Sequence, residues 1–186
     1  MNASKGISVG CAGRKVYVRV VGHGTFQNSQ PLRGFALDMI EQGFREFLVD
    51  LGQCQGMDST FLGVLAGIGL RLRQNGHKGK IHVLNVNASH MELLQTLGLD
   101  RLFSVDAGVM DLTKTPPVAE ADLHRLPDSD VEAGKPLNKN ETTDLMLEAH
   151  DNLMRYDERN APKFKDLTKF LREKIERRNA TEKRPD

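Results

Sequence analysis

The sequence predicts an α/β fold: a mixed, mostly parallel sheet with helices packed against it, followed by a C-terminal helical extension. Three observations carry this. From Ile7 to Val105, segments with strand patterning alternate with segments at helical spacing, the order that builds a parallel sheet through crossover helices. One strand segment, FREFLVDL, is an almost continuous apolar run, as suits a central strand covered on both faces. Near Asp111 the composition changes, and prolines, acids and small residues replace the periodic pattern.

The elements follow in order. Ile7 to Cys11 reads as a short strand, joined by a hairpin through Ala12, Gly13 and Arg14 to the alternating strand of KVYVRVVG. After the loop GHGTFQNS, Asn28 or Ser29 caps a helix in which Leu32, Phe35, Ala36, Met39 and Ile40 recur until Gly43. The FREFLVDL strand precedes a helix opened by Asp58 and running to about Gln74, where NGHKG ends it. KIHVLNV gives a strand, Ser89 to Leu97 a helix with Gly98 behind it, and LFSV a last short strand, for an order ββαβαβαβ. The expected organisation is a sheet domain over 1–110, a polar, Pro-containing linker over 111–140, a two-helix extension over 141–178 and a disordered tail over 179–186. In the extension, Glu141 to Tyr156 carries Leu145, Met146, Ala149, Leu153 and Met154 on one side. Asn160 is placed to cap a second helix striped by Phe164, Leu167, Leu171 and Ile175. Such stripes must pack on the sheet domain, on each other or on a second copy. The expectation is an element apart from the rest of the functional surface, with a homodimer through these helices as one use of it.

Composition excludes several classes of function. With 26 Lys and Arg against 25 Asp and Glu, the net charge of +1 gives no bulk attraction to nucleic acid or anionic lipid, so no direct nucleic-acid partner is expected. Cys11 and Cys54 form no CxxC pair and read as reduced, half-buried thiols of a cytoplasmic protein. The N-terminus MNASKGISVG has no apolar core with a cleavage site, and the longest apolar run, Phe61 to Leu70, is too short to span a bilayer, so no membrane insertion is expected.

The most informative stretch is LVDLGQCQGMDSTFLGVLAG, in which Asp58, Ser59 and Thr60 interrupt an apolar sequence at the join of strand and helix. One of these residues would suffice to cap the helix. A phosphate-binding loop needs a Lys before its Ser or Thr, and Met57-Asp58 stands there instead. A magnesium site of the response-regulator kind needs several acids at strand ends, while the second strand here ends VVGHG. His77 and His82 lack Cys or acidic partners at ligand spacing, and Ser59 lacks the G-x-S-x-G elbow of esterases. No catalytic residue, cofactor or metal is therefore expected, and the chain does not read as an enzyme. Gly63 and Gly67, one turn apart, are expected to allow close approach of the helix to the sheet.

LVDLGQCQGMDSTFLGVLAGIGLRLR resembles the signature of STAS domains of the bacterial anti-anti-sigma factor type, in which a central strand leads into Asp-Ser-Ser/Thr at the start of a helix. The resemblance covers Ile7 to Val105, and the closing LLQTLGLDRLFSV is similar to the end of such domains. It implies an anti-sigma factor antagonist in which Ser59 is phosphorylated, with Thr60 as the fallback acceptor. The implied partners are an anti-sigma factor serine kinase of the histidine-kinase-like ATPase family, bound when Ser59 is unphosphorylated, and a PP2C-type serine phosphatase. Asp58 as N-cap would leave Ser59 at the first helical position, where a phosphate meets unpaired N–H groups and the positive end of the helix dipole. Asp58, Thr60 and Phe61 complete the expected N-cap and partner surface. Phe61 departs from the glycine of many relatives and reads as packed beneath the helix or as part of that surface. The alternative is a non-switching STAS interaction module, a scaffold or a subunit of a transport assembly.

Overall fold

The alternation of KVYVRVVG becomes β2 (Lys15–Gly24), which folds back antiparallel on β1 (Gly6–Ala12) and runs parallel to β3 (Glu46–Met57). The computed structural model describes residues 5–74, 78–105, 119, 122–127 and 139–182. β4 (Lys80–Leu84) and β5 (Ser104–Val105) continue the parallel set, so the sheet is mixed but mostly parallel, in the spatial order β5-β4-β3-β2-β1-β6. β3 lies inside this order and buries Phe47, Val49 and Leu51 on one face and Leu48 on the other, which is why its sequence lacks alternation. β6 (His124–Arg125) was not foreseen: it pairs antiparallel with β1 from within the stretch read as linker. Two exposed polar residues carry no strand pattern; they are held by backbone pairing at the sheet edge, continued by Leu126 N–H donating to the Ile7 carbonyl at 2.8 Å, and by Arg125 Nε donating to the Lys5 carbonyl at 3.0 Å. The rest of the 111–140 stretch, apart from Ala119, Asp122 to Pro127 and the first residues of the next helix, lies outside the described residues, as does His77.

One face of the sheet, with Val16, Val18, Val20, Val49 and Val83, packs into a single core with α1 (Phe26–Glu41), α2 (Ser59–Leu72) and α3 (Ala88–Thr96). On the opposite face Tyr17, Leu48 and Leu84 form a small cluster against Ala12 and Leu123. There the Tyr17 hydroxyl donates to Asp50 at 2.5 Å, and burial, followed by that bond, pushes the phenol up to about 12. Helix α1 starts earlier than expected. Its N-cap is Thr25, and Asn28 acts from the third helical position, its side-chain oxygen accepting from Thr25 N–H at 2.9 Å.

The extension forms a third layer. α4 (Lys139–Tyr156) lies along α2 and contributes Leu145, Ala149 and Leu153 to the same core as the sheet. After a short 3₁₀ turn (Glu158–Asn160), α5 (Ala161–Glu182) returns over α4; it reaches Glu182, so residues 179–182, expected to be disordered, are helical. Of the predicted α5 stripe Leu171 is buried, but Leu167 is 39 % exposed, and neighbouring Phe170 is 62 % exposed. Asn160 does not cap α5. Its side chain is buried, donating to the carbonyls of Leu97 and Leu153 at 3.0 Å each and accepting from Lys163 at 3.2 Å. Burial of a leucine is worth about 1.5–3 kcal/mol, against about 0–1 kcal/mol for an exposed ion pair. Leu145 and Leu153 therefore anchor α4, and the Arg33–Glu148 pair at its edge adds little. Cys11 is exposed and Cys54 buried, both as free thiols.

Candidate functional site at the start of α2

Where β3 ends, the chain is tied to the end of β2: Asp58 N–H donates to the Gly24 carbonyl at 3.0 Å. Asp58 is the N-cap of α2, with extended backbone, and its Oδ1 accepts from Phe61 N–H at 2.8 Å. Its Oδ2 accepts from Phe26 N–H, at the first turn of α1, at 2.9 Å. One carboxylate thus serves the starts of two helices. The turn closes this tightly because residue 24 is glycine: a Cβ there would come 2.6 Å from the Phe61 ring. Phe61 is fully buried beneath α2, the first of its two expected places and not the partner surface, and Thr60 is 5 % exposed, which corrects the expectation of a partner surface there; neither presents its side chain to a partner in this conformation. Packing against the sheet and against α4 leaves the second and third residues of α2 no outward face.

Ser59, the first residue of α2, is half-buried, and its neighbour comes from a residue that sequence reasoning did not single out. The Ser59 Oγ lies 2.9 Å from Nε2 of His150, on α4. Nδ1 of His150 lies 2.7 Å from the Met146 carbonyl, which only accepts, so Nδ1 donates there and Nε2 is left to share a hydrogen bond with the Ser59 hydroxyl. The imidazole is held further by the Phe164 ring, 4.8 Å away between centroids, and His150 is 2 % exposed. The extension is therefore not apart from Ser59, as expected, but touches it. Gly63 and Gly67 explain how α4 comes so near. A Cβ at Gly63 would overlap the Ala149 carbonyl, and one at Gly67 would come 2.5 Å from Asn152 Nδ2. The two glycines face α4 and not the sheet, which corrects the sequence expectation. The sequence did hold a signal. From Phe61 to Leu70 α2 has no polar face, and a helix apolar all round must be covered all round.

The α4–α5 elbow is fastened to the end of α3. Asp157 is buried and pairs with Arg101 and with Arg159, the latter at 2.6 Å; Lys163 reaches the Thr96 carbonyl, at 2.5 Å. The hydrogen bonds from Arg159, aided by the Arg101 charge, hold the Asp157 carboxyl well below the usual carboxylate range. Gly98, at φ +72°, lies so close under Asp157 that any Cβ would strike the carboxylate.

Chemically, the start of α2 offers a hydroxyl at the positive end of a helix, flanked by a capping carboxylate and a buried imidazole. The Ser59–His150 pair lacks a carboxylate on Nδ1, so it is no triad. A cavity of about 400 Å³ between α1, α2 and α4 is lined by Arg33, Arg71, Glu148 and Asn152, among others, and not by Ser59. Among the described residues no group of three His, Cys, Asp or Glu is placed to hold a metal, and no helix is long and apolar enough to cross a membrane.

A mixed sheet in which the strand before α2 is central, with a capped Asp-Ser step at the sheet edge of that helix, defines the class. The family model described as "Mlab, STAS domain" matches residues 7–106, more than half of the chain. The chain belongs to the STAS-domain family. Among solved structures, TM1081 studied by NMR is 16 % identical, with a TM-score of 0.51 over 62 % of this chain and 91 % of that one. The crystal structure of TM1081 from Thermotoga maritima, a candidate anti-sigma factor antagonist, is 16 % identical, with a TM-score of 0.50 over 58 % of this chain and 92 % of that one. The Bacillus cell fate determinant SpoIIAA in its phosphorylated form is 18 % identical, with a TM-score of 0.47 over 58 % and 97 %. At such identities the likeness is one of fold. Comparison with curated proteins finds no match.

Proposed function

We propose that the chain is an anti-sigma factor antagonist, a protein-binding switch in the cytoplasm whose state is set by phosphorylation of Ser59. The observation that carries this reading is the Asp58-Ser59 step itself: a serine hydroxyl at the first position of α2, beside a carboxylate already committed to capping. A phosphate there adds about two negative charges next to Asp58 and changes what the surface can dock. The partners are an anti-sigma factor serine kinase of the histidine-kinase-like ATPase family, bound by the unphosphorylated form, and a PP2C-type phosphatase that restores that form. Thr60 is too buried to serve equally well as acceptor. No catalytic role of the chain itself is part of this reading.

The test is incubation with such a kinase and ATP, followed by mapping of the phosphate by mass spectrometry. Phosphate on Ser59, lost in Ser59→Ala, is the expected result. Phosphate on another residue, or undiminished labelling of Ser59→Ala, overturns the proposal. One observation favours a second reading, the non-switching STAS module: α4 packs against Ser59 and occupies the outer face of α2. That reading expects no phosphate on the intact chain.

A further inference from the structure

We propose that α4 is a flap operated by Ser59: docked along α2 while Ser59 carries a free hydroxyl, released when Ser59 carries a phosphate. This rests on the reading of Ser59 as phosphoacceptor and supplies what that reading lacks, a way for one added group to change a large part of the surface. The hydroxyl is not bare. It is hydrogen-bonded to Nε2 of His150 at 2.9 Å, and the imidazole is wedged between the Met146 carbonyl and the Phe164 ring with 2 % of the residue exposed. A ring held on three sides has no room to swing away. A phosphoryl group on Oγ would displace the hydrogen bond to the ring, 2.9 Å away, and of the N–H groups at the helix start that of Phe61 is already taken by Asp58. The added charge would also sit beside the Asp58 carboxylate at the edge of an apolar contact.

The rest of the α2–α4 contact is built so that small displacements are not absorbed. Gly63 meets the Ala149 carbonyl and Gly67 meets Asn152, backbone against helix, so α4 is either seated or not. The elbow at Asn160, bonded to the Leu97 carbonyl, keeps a released α4 tethered to the domain. Docking and phosphorylation are then reciprocally coupled. The seated helix disfavours modification of Ser59, and a modified Ser59 disfavours the seated helix by the same factor.

Two measurements on the full chain test this. In the first, phosphoserine is genetically encoded at position 59 and amide exchange is compared with the unmodified protein. Residues 145–153 should exchange at least about tenfold faster, within the usual range of such couplings, while β2, β3 and β4 keep their protection. Unchanged exchange in α4 overturns the flap. So does slower exchange, which would mean that His150 clasps the phosphate, and so does loss of protection throughout the sheet, which would mean that the phosphate unfolds the domain and does not free one helix. In the second, Gly67→Cys and Asn152→Cys are combined with Cys11→Ser to lock α4 by a disulfide; a Cβ at position 67 comes 3.2 Å from Asn152 Cγ. Kinase labelling of Ser59 should fall about tenfold on oxidation and return on reduction. Equal labelling in both redox states overturns the flap. Absence of labelling in both, with α4 still opened by the encoded phosphoserine, removes Ser59 as the acceptor of that kinase and leaves the flap standing.

Discussion

The two ends of the α2–α4 contact are built differently. In its middle, Gly63 and Gly67 admit the backbone and side chains of α4, and Leu145, Ala149 and Leu153 are buried in the same core as the sheet. At the start of α2 the contact is one hydrogen bond between Ser59 and His150, in a half-buried polar setting. The difference separates stability from control. Apolar surface and close backbone approach supply most of the hold on the helix, whereas a single polar contact at its edge can be changed by a single modification. The elbow sides with the middle: Asp157, Asn160 and Lys163 reach Arg101 and the carbonyls of Leu97 and Thr96, contacts in which Ser59 takes no part.

Mutations should follow this division, the largest effects coming first. Leu153→Ala removes a fully buried side chain shared by α4 and the core and should lower unfolding free energy by about 2–5 kcal/mol, read by urea denaturation. If the loss is within about 0.5 kcal/mol, the size of an ordinary surface substitution, α4 is not part of the cooperative unit. Asp58→Ala strips the cap from α2 and an acceptor from Phe26 N–H of α1, and should cost about 1–2 kcal/mol. Asp58→Asn keeps an acceptor and should recover most of it. Ser59→Ala leaves Nε2 of His150 without its hydrogen-bond partner and should cost about 1 kcal/mol, with faster exchange confined to α4.

The smallest effect is one of slope. Because Arg159 and Arg101 depress the Asp157 carboxyl in the folded state, the unfolded chain binds its proton first as the solution is acidified. The stabilisation from this group is complete above the unfolded value, near about pH 4, and fades as the pH falls below it. Asp157→Asn should remove that part of the acid dependence, so that its stability between about pH 4 and pH 2 falls less steeply than that of the unmodified chain. Equal slopes would mean that the elbow pair is not formed in solution.

The order of strands and helices along the chain through α3 was legible because each announces itself locally: alternation in β2, an apolar run in β3, Asp58 and Gly98 at helix ends. β6 was not, because two polar residues at a sheet edge are held by backbone pairing and leave no side-chain pattern. Thr25 was passed over as the α1 cap because Asn28 and Ser29 are equally good capping residues three and four positions later. His150 was invisible for a different reason. It lies 91 residues from Ser59, and on its own helix it reads as one polar residue beside an apolar stripe. The meeting of the two depends on Gly63 and Gly67, whose partner could have been suspected only from the absence of any polar face on α2.

The central claim, that Ser59 is a switch for protein binding, is tested most directly by the affinity of an anti-sigma factor kinase of the histidine-kinase-like family for three forms of the full chain: unmodified, Ser59→Ala and phosphorylated at Ser59. The first two should bind with similar affinity and the third more weakly by about tenfold or more, since charge and not loss of the hydroxyl breaks the contact. Ser59→Glu should fall between them, a single carboxylate being a weaker charge than phosphate. Equal affinity of all three forms would contradict the account and leave the chain a STAS module whose Ser59 serves only to start a helix.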